Sequence, residues 1–563
     1  MLGGSWNRWQ TAARTGLSNN ARAVNARTRV RTGGHVVVET LEALGATAVF
    51  GLPGIHALPI WDALRESSLR TYGFRTELNA GFAAGGWAHV TGHPAPLVVS
   101  TGPGALNTLT AVMEAASSHL PVVVIASQVP SDVIGRGRGY LHELRDQQGS
   151  FAPVVKWAGR ATHAGDVPDA IGAAWRAALT PPSGPAYVEI PYDVLSGDTA
   201  IPPVVELAGD SPAPRPAAAE ALGEAARLLS TLRDPVIWAG GGVLRSGAWA
   251  ELRQLAEKID APVVTTFMGK GSLPEDHPLA AGSACDHEAF QELLRTAGVV
   301  LGVGTELGAE TTGQYTLRFE GRLIQVDADP SRIGATYPAL ALVGDAVATL
   351  RGLTALVDPR SGDGMDRARR TRDRTRRELV DRGRGLEDSL LRAIRSALPP
   401  GAITAWDMTI LGYLAAAHFP VPQPRTFLYP LGSGTLGFAW PAALGAKAAL
   451  PAAPVLAVAG DGGFMYGIAE LASARQHSLA AKLLLIDDGG YGILREYQRE
   501  SFGASHGVDL VEPDFERLVA AFGVPVRVTS SARIADDLAW AMTVHGPAVC
   551  VLRERLAFAT PTA

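Results

Sequence analysis

Residues 454–492 read PVLAVAGDGGFMYGIAELASARQHSLAAKLLLIDDGGYG, the stretch that leaves this chain the fewest ways to fold. An apolar run, a Gly-Asp-Gly turn, an Ala-rich helical segment, a second apolar run and a polar turn make a β-α-β unit. A right-handed crossover carries both turns to the carboxyl edge of one parallel sheet. Asp461 is therefore expected to meet the Asp487-Asp488 pair although a helix and a strand lie between them in sequence. Carboxylates on glycine-flexed backbone suit a hard cation such as Mg²⁺, which takes oxygen ligands and shares them with a bound phosphate. Ordinary acidic turns at a sheet edge are the alternative.

A chain of 563 residues is too long for one core and predicts roughly three domains. Its formal charge of -5 is mild for that length, so no broad basic surface for nucleic acid is implied and a small-molecule partner is favoured. Cys285 and Cys550 make no disulfide framework and no zinc-type cluster, which fits a reducing cytoplasm. The long apolar stretch 441–460 is broken by Lys447, Pro451 and Pro454, and reads as helix, turn and strand instead of a membrane span.

Residues 1–34 hold six arginines and no acid. That is the composition of an organelle transit peptide, or of a disordered or over-extended tail, and it is excluded from the fold. From His35 to about residue 200, short β-branched runs alternate with Ala-rich helices, and AYVEIP, ending at Pro191, reads as the last strand. A Pro-rich passage, IPPVVELAGDSPAPRPAAAE, reads as a linker. A second domain over 219–355 shows PVIWAGGG, GVVLGVG and RLIQVDADP, where Gly240, Gly241 and Gly242 could approach a phosphate or simply make a tight turn in a Rossmann-like sheet. Residues 356–385 carry nine arginines between Asp366 and Arg384, interspersed with acids, and are expected to form a solvated linker helix. A third domain runs from 386 to 563. The fold class expected is α/β, with three doubly wound parallel-sheet domains.

GDGGFMYGIAEL followed by LLLIDDGGYG resembles the diphosphate-binding motif of thiamine-diphosphate enzymes, a GDG and, about two dozen residues on, an NN. The resemblance implies that Asp461, Asp488 and the Gly490 carbonyl hold Mg²⁺, with Gly462, Gly463, Tyr491 and Gly492 around the diphosphate of the cofactor. Both asparagines of the motif are aspartates here, which adds negative charge beside a diphosphate. RTELNAGFAAGGWAHVTGHP and VVSTGPGALNTLTAVMEAASSHLPVVVIASQ, with VFGLPG upstream, resemble the pyrimidine-binding domain of the acetolactate synthase-like branch of that family. Glu77 then takes the place of the catalytic glutamate, whose carboxyl binds a pyrimidine nitrogen and so activates the cofactor. FLYPLGSGTLGFAWPAALGAK resembles the segment whose apolar residue props the cofactor into a bent shape; Leu436 falls there, flanked by Gly432 and Gly434. These resemblances cover the chain after residue 34, in the order pyrimidine-binding, central and diphosphate-binding domain. They imply a homodimer or tetramer with each active site between subunits.

By the same resemblance the substrate is a 2-oxo acid, which is decarboxylated and released as an aldehyde or joined to a second carbonyl. The chain has GVGTELGAETTG where flavin-binding acetolactate synthases carry a GARFDDR-like run, so FAD is not expected. GRGRGYLHELRDQ, GLPGIHALPIWDAL and GTLGFAWPAALGAK are most similar to decarboxylase-type relatives such as the one acting on guanidino-oxopentanoate, with His142 and Glu143 where acetolactate synthases tend to carry Gln-Glu. His119 is either a structural residue at a helix end or a pocket residue. Glu306 and Glu310 are either commonplace exposed acids or selectors of a cationic substrate. A catalytically silent cofactor-binding partner protein and a flavin-dependent oxidase are the competing readings.

Overall fold

The computed structural model describes residues 31–207 and 214–556. Within them lie three sheets of six strands, with every neighbouring pair of strands parallel. The first sheet comprises β1 (Ala48–Gly51), β2 (Arg70–Gly73), β3 (Ala95–Val99), β4 (Val122–Gln128), β5 (Trp157–Arg160) and β6 (Ala186–Pro191), in the order β2-β1-β3-β4-β6-β5. The second comprises β7 (Pro235–Ala239), β8 (Val263–Thr265), β9 (Ala280–Gly282), β10 (Val299–Val303), β11 (Arg322–Asp327) and β12 (Leu340–Val343), in the order β12-β11-β10-β7-β8-β9. The third comprises β13 (Ile403–Trp406), β14 (Phe427–Leu428), β15 (Val455–Gly460), β16 (Lys482–Asp487), β17 (Val526–Thr529) and β18 (Ala548–Arg553), in the order β14-β13-β15-β16-β18-β17. The first and third sheets thus share one topology. Helices cover both faces, so strands such as KLLLID are buried along their whole length, which is why apolar runs without alternation form them. The α/β class expected from the sequence is the fold observed.

The first and third domains share a core. Helix Glu77–Thr91 lies along helix Ala439–Ala449, and both are built from Gly and Ala. A Cβ on Gly86 would run into the Ala442 carbonyl and one on Gly445 into the Ala83 carbonyl, so both positions need glycine for the backbones to approach this closely.

Helix Gly364–Asp381 is the charged linker, and its buried residues Ala368, Thr371, Thr375 and Leu379 recur at helical spacing. Arg369, Arg370, Arg374, Arg376 and Arg377 face outward, whereas Arg367 and Arg372 turn in to the carbonyls of Asp234 and Ala280. It clamps the second domain to the third. His287 Nδ1 lies 3.1 Å from Glu378 of this helix, and His287 Nε2 lies 3.1 Å from Nε2 of His418, the last residue of helix Ile410–His418. Burial holds both imidazoles below the ordinary histidine value, against the pull of Asp286 and Glu378 on His287 and with Lys270 and Arg382 pushing His418 the same way. A depressed folded-state value means stability that is present above about pH 6.5 and lost as pH falls below it. We therefore expect the melting temperature to fall between pH 6.5 and 5. His418→Gln, which cannot take up a proton, should flatten that fall in a pH series of thermal melts, and an unchanged slope would clear the pair of responsibility.

The tail expected over residues 1–34 lies, as far as residue 30, outside the described residues, as does 208–213 of the Pro-rich linker. The expected boundary at residue 34 is late. Arg31 pairs with Glu39, Thr32 bridges to Asp198, and Gly33 and Gly34 open the buried helix Gly33–Ala43. Among the described residues no helix is long and apolar enough to cross a membrane, and both cysteines are free and buried.

Candidate active site

In the third sheet the chain runs from β13 out to β14 and returns to the other side of β13 as β15, so the strand order reverses between β13 and β15. A doubly wound sheet binds ligands in the crevice beyond the carboxyl ends of its strands at such a point. Three aspartates stand there: Asp407 after β13, Asp461 after β15 and Asp488 after β16. A cavity of about 250 Å³ opens at this edge, lined among others by Asp407, Gly434, Leu436, Gly463 and Asp488. Gly462, Gly490, Tyr491 and Gly492 complete the wall nearest Asp488.

Asp461 is buried just behind that wall, 3% exposed, and its Oδ1 has no hydrogen-bond partner. It accepts backbone N–H bonds from Gly462 and Gly490, while its other close neighbour is the Asp488 carboxyl. Burial, reinforced by the neighbouring Asp487 charge, pushes the Asp461 carboxyl up to about 6; burial and the Asp461 charge push Asp488 up to about 7. A second carboxyl in the same corner adds to the cost of ionising Asp488. Asp487, the last residue of β16, turns instead toward Arg553, with its Oδ2 at 3.6 Å from Nε. The two adjacent aspartates are split because successive side chains of a strand point to opposite faces.

The 488–492 turn is held from beneath. Arg495 donates to the Gly489 carbonyl at 2.9 Å and to Asp509 at 2.8 Å, and Tyr491 N–H donates to the Val508 carbonyl at 2.8 Å. Gly490 has φ 146°, and a Cβ there would strike the Val508 carbonyl, so the turn requires glycine. At Gly462 a Cβ would meet the Tyr491 ring, and at Gly492 it would meet the Asp488 carboxylate.

The loop carrying Leu436 is anchored at both ends. Asp407 accepts the Gly437 N–H at 3.1 Å, and burial pushes its carboxyl up to about 7 against the pull of the N–H donors of Met408, Gly437 and Phe438. Glu114, a buried residue of the first domain, accepts from Ser433 N–H at 3.1 Å and from the Thr435 hydroxyl at 3.0 Å. Gly432 packs against Glu114 and Ser117 and does not line the cavity.

Glu77 stands elsewhere. It is the first residue of helix Glu77–Thr91, whose N-cap Thr76 accepts the Asn79 N–H, and its carboxylate accepts the Asn107 amide at 3.1 Å and lies over Gly104 in the short helix Pro103–Leu106 that follows β3. No residue of the first domain lines the Asp488 cavity. His142 belongs to Glu77's edge, with its carbonyl against Gly102, and Glu143 ties its own loop by accepting the Gly137 and Tyr140 N–H groups. His119, in the left-handed region at φ 54°, bonds Glu306 at 3.0 Å and the Ser183 carbonyl at 3.3 Å, joining the first two domains away from the Asp488 cavity. Gly240 and Gly242 pack against the Gly304 turn, as a tight strand-to-helix connection requires.

Sequence reasoning passed over Asp407 and Tyr413. The signal for Asp407 was an acid directly after a buried strand, ITAWD, but its nearness to Asp461 depends on β13 pairing with β15.

The donor set at Asp461 and Asp488 fits a divalent cation. Mg²⁺ is commonly held by one or two carboxylates together with ligand phosphate and water. The unpartnered buried Oδ1 of Asp461 and the crowding of Asp488 by the Asp461 charge are what such a cation would satisfy. Among the described residues no group of three or more His, Cys, Asp or Glu side chains forms an all-protein cage, so the remaining ligands would be backbone and cofactor oxygens.

Comparison with known proteins finds three matching family models: the N-terminal TPP binding domain of thiamine pyrophosphate enzymes over residues 31–150, their central domain over 222–353 and their C-terminal TPP binding domain over 407–552. Among curated relatives, the probable 2-ketoarginine decarboxylase AruI of Pseudomonas aeruginosa is 36% identical over 88% of this chain and 89% of its own. The probable acetolactate synthase large subunit of Methanocaldococcus jannaschii is 33% identical over 92% and 90%, and the acetolactate synthase of Mycobacterium bovis 32% over 91% and 86%.

Proposed function

Since the chain belongs to the thiamine pyrophosphate enzymes of the acetolactate synthase-like branch, we propose that it is a Mg²⁺-dependent decarboxylase of a 2-oxo acid, R–CO–COO⁻ + H⁺ → R–CHO + CO₂. The observation that carries this reading is buried Asp461, with its unpartnered oxygen, next to half-buried Asp488 and beside a cavity walled by Leu436. When bound, thiamine diphosphate supplies the electron sink that lets CO₂ depart. Asp461, Asp488 and the Gly490 carbonyl hold the metal. Gly462, Gly463, Tyr491 and Gly492 offer close backbone approach and one aromatic wall to the diphosphate. Leu436, on the loop of Gly432 and Gly434, props the cofactor.

Glu77 acts as the base partner in this reading, and it comes from a second copy of the chain. The Asp488 cavity is walled by the third domain alone, and Glu77 stands at a separate edge of its own chain. A homodimer with two sites is the smallest assembly that completes both. Two buried, unbridged cysteines suit a cytoplasmic enzyme.

The relative named as a 2-ketoarginine decarboxylase favours aldehyde release. Relatives named as acetolactate synthases favour a second reading, in which the fragment left after CO₂ loss is joined to another carbonyl and the enzyme is a transferase. The test is CO₂ release from a panel of 2-oxo acids by protein loaded with thiamine diphosphate and Mg²⁺, with and without an added aldehyde or second oxo acid, and mass spectrometry of the products. A free aldehyde is expected. A coupled product would select the carboligase, and cofactor binding without CO₂ from any donor would select a cofactor-binding partner protein.

A further inference from the structure

The first sheet has a switch point of its own. Its strand order reverses between β1 and β3, as that of the third sheet does between β13 and β15, so a second crevice lies beyond the carboxyl ends of β1 and β3. Glu77 stands there, its carboxylate and Ser100 crowding the same side of Gly104. Two histidines share this edge. His56 lies in the single turn Ile55–Ala57, two residues beyond Gly54, which packs on Ser100, and the backbone of His142 packs on Gly102. Their rings meet edge to face, with centroids 5.4 Å apart.

Packing alone does not account for this pair. His56 is 4% exposed, and its Nδ1 and that of His142 are buried with no hydrogen-bond partner among the described residues. Tyr192 and Tyr140 flank the His56 ring at 5.5 and 6.0 Å between centroids, yet neither supplies a bond to Nδ1. His142 takes the left-handed backbone region at φ 68°, which is uncommon for a residue other than glycine and persists only where the surroundings hold it. The buried Oγ of Ser100 is unpartnered as well. Three such atoms beside one carboxylate mark a place completed by groups that a single chain does not supply. The chain neighbours Ile55, Leu58, Tyr140 and Leu141 are exposed, an apolar rim suited to the second copy that the proposed dimer brings.

We propose that His142 is a catalytic acid of the decarboxylation, giving its proton to the carbon that has lost CO₂, and that His56 is the residue that positions its ring. The assignment rests on the proposed 2-oxo acid reaction, which consumes one proton. When CO₂ leaves, the electron pair of the broken C–C bond stays behind; an imidazole N–H bond then breaks, the aldehyde C–H bond forms, and the ring regains its proton from water. Imidazole is the side chain that gives and regains a proton near neutral pH. Two rings this close do not both carry charge. Burial and the neighbouring His142 hold His56 below the ordinary histidine value, so the pair's single proton resides on half-buried His142.

The test separates loss of CO₂ from uptake of the proton. A two-electron dye, dichlorophenolindophenol, oxidises the same carbon in place of its protonation: R–CO–COO⁻ + H₂O + dye → R–COO⁻ + CO₂ + dye-H₂. Wild-type holoenzyme is assayed with 2-oxoglutarate, 2-oxohexanoate, phenylpyruvate and 5-guanidino-2-oxopentanoate, and the donor turned over fastest is carried to the variants. His142→Asn, whose new side chain tolerates left-handed backbone, should lower aldehyde release by at least about 100-fold and leave CO₂ release with dye near its wild-type rate. His56→Asn should lower aldehyde release by at least about tenfold, again sparing the dye-coupled rate. His142→Gln, read by the same ratio of rates, is the second variant should the asparagine protein not fold. An equal fall of both rates would make the ring a binding or structural group, and an undiminished aldehyde rate would take the acid from His142; either overturns the proposal. No CO₂ from wild type with any donor, with or without dye, would overturn the reaction and the assignment with it.

Discussion

Glu77→Gln is expected to leave the protein folded and able to bind thiamine diphosphate while lowering kcat by about 10²–10⁴-fold, the range for a lost general acid–base group. Glu77 is placed for exchange with little structural cost. It lies in the first turn of helix Glu77–Thr91, whose cap is Thr76, and its carboxylate accepts one side-chain hydrogen bond, from Asn107. A glutamine keeps an acceptor oxygen for Asn107 and loses only the ability to hand a proton on. The readouts are kcat, the melting temperature and the cofactor dissociation constant. Near-normal turnover would remove the base from Glu77. A collapse of the melting temperature would recast it as a structural residue. Mixing Glu77→Gln with Asp461→Ala protein carries a further expectation: if the sites form between copies, mixed dimers regain one intact site.

Asp461→Ala should lose cofactor retention. Partners one shell removed from a metal already cost about 10–100-fold in affinity when deleted, so a direct ligand should cost at least about 100-fold. The expected result is a rise of that size in the Mg²⁺ concentration needed for half-maximal thiamine diphosphate binding, followed by fluorescence or calorimetry, and undiminished binding would sink the metal assignment. Asp488→Asn is expected to behave in the opposite way. Asp488 is pushed up to about 7 by burial and by the Asp461 charge. Asparagine keeps an oxygen ligand and removes one of the two charges that repel each other, so Mg²⁺ binding should hold or strengthen. Complete loss would mean that the second acid is itself required.

Much of the fold followed from short-range pattern. Runs such as VVVIASQ and KLLLID carry no alternation, and a strand buried on both faces needs none. The strands separated by Ala-rich helices had to be parallel, and the handedness of one crossover was enough to bring Asp461 beside Asp488. Five of the nine arginines, Arg369, Arg370, Arg374, Arg376 and Arg377, form the outer face expected of the linker helix because Ala368, Thr371, Thr375 and Leu379 supplied an inner one, while Arg367 and Arg372 reach in to second-domain carbonyls and Arg384 is buried. The expected boundary at residue 34 missed by a few residues, since what ties Arg31 and Thr32 down are Glu39, a short way along the chain, and Asp198, far along it.

What the sequence by itself determined about this protein is therefore periodic and local: the α/β class, three sheets, and a glycine-flanked acidic edge on the last. Which of two adjacent aspartates faces that edge was left to the pleat of β16, which sends Asp487 toward Arg553. The tertiary structure alone decided that Asp407 joins Asp461, because β13 pairs with β15, and that Gly432 leans on Glu114 outside the cavity. It alone sent Glu306 of the second domain to His119 of the first. These outcomes rest on strand pairing and domain docking between residues far apart in the chain. Their free energy comes from surfaces buried only once whole domains meet, and no local pattern encodes it.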